Sequence, residues 1–330
     1  MPISSGVRRH FSGQFGWFWQ VLAWTIPAAV AAATAFLQSY RFNEFNYGGD
    51  GIFFVRYGQV LLSSHWDRAF SNPEIQAGPL QLAFFGSLAD KEIAIAIVLG
   101  VVTALLVVAA ARAAGVRNAG LLAGVGLLAV VAGLTRIGDR SGHPADVMLP
   151  LIWVIAADQA RRNHTWRAGL LIGLCAGVET RGILGVAVFA FAPRLRDAAV
   201  STLVAAGTAF ALFLPFMLGG HFEMLSLAWH VDQPSLMSML VPVGTPFGWP
   251  LRLLQAAGAV SAGVLVARAL RHSPHAIWAA PLAIVAVRLL LDPLLNTYYL
   301  AEPKALFLVG AAVGAAHWTR LRSTRRESFA

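Results

Sequence analysis

The chain has 330 residues, 57% hydrophobic and 12% charged, with a mean hydropathy of +0.64 and a formal charge of +9. A soluble domain carries about 25% charged residues, so a soluble fold is excluded. Apolar windows of about 20 residues suit a hydrocarbon core about 30 Å thick, and their continuity excludes a β-barrel, whose strands alternate with a period of two. The composition therefore predicts an all-α polytopic membrane protein. Its basic residues fall in short clusters between apolar runs, which is the pattern that orients membrane helices and not one that binds nucleic acid.

In chain order, "VRRH" precedes a first apolar run at 17–39. Its "AAATA" has the composition of a signal-peptide cleavage site, but the run is long for a leader and further spans come after it, so an uncleaved helix is expected. The segment 40–78 then forms a loop containing "RFNEFNYGGDGIFFVRYGQVLLSSHWDRAF" at 41–70. Residues 52–64 predict an interfacial helix with Ile52, Phe53, Val55, Val60 and Leu62 toward lipid and Arg56 and Gln59 toward water. Further apolar segments run over 79–111, 119–137, 146–160, 168–179, 182–193, 197–219, 249–270, 276–291 and 303–318. "DKE" at 90–92 interrupts the first of these, so 79–89 reads as a separate short or re-entrant piece. The pair 168–179 and 182–193, broken by "ETRG", is too short for two full α-helical spans. A hairpin of half-length helices is expected there, with a single kinked span as the alternative. A second large loop covers 220–248, and 319–330 is a basic tail. The whole is one transmembrane domain of about 10 membrane or half-membrane helices.

Arginine placement gives the orientation. With a hairpin at 168–193, Arg8 and Arg9, Arg112 and Arg117, Arg161, Arg162 and Arg167, Arg194 and Arg196, Arg268 and Arg271, and the tail arginines all lie on one face. That face is expected to be cytoplasmic, with both termini inside a plasma membrane. The opposite face receives Glu44, Asp50, Asp67, Asp139, His143, Asp146, Glu179, His221, Glu223, His230, Asp232, Asp292, Tyr298, Tyr299 and Glu302. A transporter places its site near the midplane on repeat-related broken helices, and no internal repeat is evident. Polar groups in one outer layer suit an enzyme at the external surface. The lone cysteine, Cys175, lies in an apolar run and reads as packing. Gly169, Gly173 and Gly177 recur every four residues and read as a close helix contact.

Three features resemble the C-type integral-membrane glycosyltransferases: Asp50 in the first external loop, the interfacial segment behind it, and "AGPLQLAFFG" at 77–86. The stretch 142–198, with "GHPADVMLP", "RAGLLIGLCAG" and a basic residue between two short helices, is similar to the glycosyltransferase family 87 pattern, with Arg181 where lysine is more usual. The resemblance implies transfer of a sugar, mannose first, from a polyprenyl-phosphate donor to a cell-envelope lipid or glycan acceptor, with inversion. It implies no nucleotide sugar, no cofactor and no required metal. Asp50 is then the catalytic base, with its carboxyl raised by partial burial; a helix N-cap is its structural alternative. Glu44 and Asp67 are the other acids placed for that role. They stand with Tyr57 and His143 as possible acceptor or sugar contacts. Arg181, Lys304 and His230 are candidates for the donor phosphate. Gly48, Gly49 and Gly51 would let the backbone approach a sugar. His143 with Asp139 and Asp146 has a metal-ligand flavour but matches no metal spacing. The rival functions are a transporter or flippase of a lipid-linked substrate, and a non-catalytic membrane partner.

Overall fold

The computed structural model describes residues 5–42, 49–226, 229–233, 235–294 and 296–327, with side chains described at 16–39, 50–138 and 141–322 within those ranges. Helix dominates: α1 (Ser5–Phe42), α2 (Gly49–Leu61), α3 (Pro79–Ser87), α4 (Glu92–Ala113), α5 (Ala119–Val131), α6 (Ile137–Ser141), α7 (Ala145–Arg161) and α8 (Thr165–Val178), then a 3-10 helix over Thr180–Phe191. The chain continues with α9 (Leu195–Leu218), a two-stranded ribbon of β1 (Trp229–His230) and β2 (Pro246–Phe247), α10 (Trp249–Ala269), α11 (Ala276–Leu290) and α12 (Ala301–Glu327). Five segments are long and apolar enough to cross a bilayer: Gly16–Ser39, Glu92–Ala113, Leu195–Leu218, Trp249–Ala269 and Thr297–Arg322. Leu203, Phe210, Leu253 and Leu265 stand exposed on α9 and α10, as a lipid-facing surface requires.

Local chemistry sets the helix ends. Asn118 caps α5 by accepting from the Leu121 amide at 3.0 Å. Pro79 opens α3 at the position where a missing amide hydrogen costs nothing. Residues 79–111 are two helices with a break at 88–91, the separate-piece reading of that segment. Residues 119–137 are shorter than expected as a helix: α5 stops at Val131, and left-handed Gly133 (φ 73°) leads into a 3-10 turn at Leu134–Arg136.

The segment 168–193 is a hairpin. Gly182 packs on the backbone of Cys175 and Ala176, and Gly185 on Ile172 and Trp153, so the two arms run antiparallel. The return arm is a 3-10 helix of 12 residues. At about 2 Å per residue it covers about 24 Å, against about 21 Å for the 14-residue α8 at 1.5 Å per residue. Side chains at i and i+3 eclipse in a 3-10 helix, and Gly182, Gly185, Val188 and Phe191 form such a buried stripe. The buried Trp153 side chain secures it, donating from Nε1 to the Gly182 carbonyl at 3.1 Å. On the other side of α8, Gly169, Gly173 and Gly177 meet Ser201, Val204, Thr208 and Leu212 of α9, the close helix contact that their spacing predicts.

The bundle has two chemically different ends. At one, Arg112 donates to Gln20 Oε1 (3.2 Å), Gln20 to the Arg117 carbonyl (3.1 Å) and Arg320 to the Gly115 carbonyl (3.0 Å). At the other, Asp50, His143, Glu179 and Asp292 line one cavity. Helix α2 belongs to this second end and spans 49–61, not 52–64. Ile52, Phe53 and Leu62 are exposed as expected, but Val55 and Val60 are half-buried, and Phe54 and Gly58 face the core. A Cβ at Gly58 would strike the backbone of Leu82 and Gly86, so glycine is what seats α2 on α3.

Candidate functional site

Asp50 lies in the first turn of α2, which opens at Gly49, so it sits inside the helix and not at its cap. Its negative charge suits the helix N-terminus there. Gly142 adopts a left-handed φ of 75°, and a Cβ on it would collide with Gly51 and the Asp50 carbonyl carbon. Glycine is therefore required at 142, where the loop before α7 passes against the backbone of the first turn of α2. The next residue after Gly142, His143, is delivered directly over Asp50, with His143 Nε2 2.5 Å from Asp50 Oδ2. The imidazole stacks on Tyr298 at 4.6 Å and 9°, and meets Phe54 edge-on at 5.8 Å. Side-chain exposure is 16% for His143 and 50% for Asp50. The histidine is the inner partner and the carboxylate the outer one.

The hydrogen bond from His143 holds the Asp50 carboxyl below its ordinary value, against partial burial, which pushes it up; the imidazole's charge lowers it further. The expected upward shift of Asp50 is therefore reversed, because a donor outweighs desolvation. For His143, burial pulls the imidazole down, but the Asp50 hydrogen bond and the charges of Asp146, Glu179 and Asp50 prevail, and the net direction is up.

Beneath this pair lies a buried ionic cluster. Arg181 is bound by Asp146, by Glu179 at 2.7 Å and by Glu302 at 2.7 Å. Arg288 binds the same Glu302 oxygen at 2.7 Å and Asp292 at 3.2 Å, and lies over the Tyr299 ring at 5.0 Å. Two guanidinium groups thus face four carboxylates, with Asp146 fully buried and Glu302 2% exposed. The tip that carries Glu179 and Arg181 is held by the Gly78 amide, which donates to the Val178 carbonyl at 2.7 Å, and by a bridge between Ala77 and Glu179. The "GP" motif and the hairpin tip therefore form one unit.

Pair and cluster border a cavity of about 620 Å³. Its charged lining residues are Asp50, Glu179, Arg181, Arg252, Arg288 and Asp292. Its apolar lining includes Phe53, Ile183, Leu184, Trp229, Trp249 and Leu253. The lining is amphipathic, with charged groups interspersed among aliphatic and aromatic surface, as where Arg252 lies over the Trp249 ring at 6.0 Å.

Of the residues singled out by sequence, Asp50, His143 and Arg181 are brought together. Arg181 is engaged by carboxylates, so the cation expected to face a phosphate is one whose charge the chain itself already meets. Lys304 is exposed and lies off the cavity, and His230 is exposed beside the cavity-lining Trp229. Tyr57 is half-buried against the α2–α3 core, and Asp67 lies 3.9 Å from His221; neither lines the cavity. Glu44 and Gly48 lie outside the described residues, as does the side chain of Asp139. Among the described residues no group of three or more His, Cys, Asp or Glu is arranged to hold a metal ion. Sequence reasoning assigned no role to Arg288 or Glu302, and weighed Asp146 only as a metal ligand that matched no spacing. The available signal was Arg288 itself, an arginine inside an apolar run with Asp292 four residues on, since intramembrane charges need partners.

No protein-family model, curated protein or solved structure matches the chain. The glycosyltransferase resemblance therefore rests on the motifs alone.

Proposed function

We propose that the chain is a polytopic membrane glycosyltransferase of the C type that moves a sugar, mannose first, from a polyprenyl-phosphate donor to a cell-envelope lipid or glycan. In this reading about ten helices cross or half-cross the membrane, the arginine-rich end and both termini face the cytoplasm, and the Asp50 end faces outward. The observation that carries the reading is a half-exposed Asp50, held by His143, at an amphipathic cavity. The acceptor hydroxyl gives its proton to Asp50 as its oxygen bonds to the anomeric carbon. The bond from that carbon to the phosphate oxygen breaks, and the electron pair leaves on the phosphate. Aromatic rings on the wall suit the faces of a sugar, and Ile183, Leu184 and Leu253 suit the first isoprene units. Arg252, which also lines the cavity, is the guanidinium assigned to the departing phosphate in this reading.

A second reading, a flippase of a lipid-linked substrate, is favoured by the buried Arg181–Glu302–Arg288 bridge, since charged groups buried among membrane helices mark transport pathways. One experiment separates the two. Purified protein in proteoliposomes is given radiolabelled polyprenyl-phosphate mannose and an envelope-lipid extract, wild type against Asp50→Asn. Glycoside product made by wild type and lost in the variant supports transfer. Full activity in a folded Asp50→Asn protein removes Asp50 as the base. Donor movement between leaflets without any glycoside favours the flippase.

A further inference from the structure

His143 differs from every other group at the site in that it touches the proposed base directly while being largely shielded from solvent itself. Its ring is fixed from three sides: by Asp50 at 2.5 Å, by the parallel face of Tyr298, and by the edge contact with Phe54. These partners come from α2 and from the turn at Thr297–Leu300 before α12, while His143 comes from the loop between α6 and α7. The backbone is committed as well, because left-handed Gly142 abuts Gly51. The ionisable groups acting on the imidazole are Asp50 from α2, Asp146 from α7 and Glu179 from the hairpin tip. All three are carboxylates.

We propose that His143 is the positioning residue of Asp50: its Nε2–H holds Asp50 Oδ2, so that Oδ1 is the oxygen presented to the acceptor hydroxyl. The inference rests on the glycosyl-transfer reading and extends it. A half-exposed carboxylate in the first turn of a helix has free rotamers, and a carboxylate turned to solvent is lost as a base. A donor anchored between an aromatic face and an aromatic edge removes that freedom. During transfer the acceptor O–H bond breaks and its proton bonds to Oδ1. The new glycosidic bond forms as the phosphate leaves with its electron pair. His143 neither gains nor loses a proton.

The test uses full-length protein with His143→Ala and His143→Gln, assayed from pH 4 to 9. The alanine variant is expected to lose kcat on the order of 10²-fold, the cost of a misplaced catalytic group, while KM changes by less than about twofold. Its acid limb should move to higher pH, because Asp50 no longer has the donor that keeps it ionised. Glutamine retains an N–H donor and should recover part of both effects. A folded alanine variant with wild-type kcat and an unmoved acid limb overturns the proposal. A second readout is independent of transfer: the 15N titration of His143 in detergent micelles, wild type against Asp50→Asn. The midpoint should fall in the variant, and an unchanged midpoint overturns the pairing. If wild type transfers no sugar but this coupling persists, the pairing stands and the transfer reading fails. If transfer is robust and the coupling absent, the reverse holds.

Discussion

At the scale of single residues, the site is a matter of which carboxylates have donors. Asp50 has one neutralising partner on its inner side and open space on the other, the arrangement a base needs. The carboxylates below it are spent on Arg181 and Arg288. Removing one partner of a buried ionic network leaves an uncompensated charge, which costs about 3–5 kcal/mol. Arg181→Ala is therefore expected to lower the thermal midpoint sharply and to be hard to express folded. Arg181→Lys, a single-point cation in place of a fork, should rescue only in part. Both are read by thermal unfolding in detergent. The Asp50–His143 pair also sets a pH window. Asp50 is lowered from 3.8, so its stabilising contribution is present above that value and lost as pH falls through the folded one. His143 is raised from 6.5, so its contribution is present below that value and lost as pH rises through the folded one. The stability gap between wild type and His143→Gln should be widest between about pH 4 and 6.5 and should shrink on either side. A gap that grows steadily toward alkaline pH contradicts the pairing.

At the scale of elements, glycine contacts decide where the pieces of the proposed site sit. Gly58 and Gly86 seat α2 on α3, and a side chain on Gly58 meets main chain, which cannot swing away as a rotamer can. Gly58→Val is expected to cost about 1–3 kcal/mol as an overpacking change and to lower transfer by displacing Asp50. Gly58→Ala should do so more mildly, as thermal unfolding and initial rates on the same preparations will show. The 3-10 arm at Thr180–Phe191 is the other element with consequences. Its longer rise lets 12 residues cover the depth of the 14-residue α8, so one hairpin places Arg181 at the cavity. Val188→Pro, which removes a ladder donor in mid-helix, should collapse this arm; a well-folded variant would deny it a structural role.

At the scale of the whole molecule, the long apolar helices, the arginine-rich end and the acidic end make one polarised object. The native chain has a single cysteine, Cys175, which is buried at 1% exposure, so engineered cysteines report with little background. Cysteines at Gln59 and Leu225, both exposed, should react with an impermeant maleimide on intact cells, and cysteines at Arg117 and Arg320 only after permeabilisation. The opposite pattern would put the cavity in the cytosol and remove the polyprenyl-linked donor from reach. By itself the amino-acid sequence determined the helical class and favoured a hairpin at 168–193 over a single kinked span, because apolar run length and arginine placement are local quantities summed along the chain. It also brought Asp50, His143 and Arg181 forward, since a polar group beside a membrane helix stands out. Only the tertiary structure decided which of these touch. That His143 completes Asp50, that Arg288 and Glu302 close around Arg181, and that Lys304 and His230 stay outside the cavity depend on how helices distant in the chain pack. Ion pairs are made across such contacts, and hydropathy has no term for them.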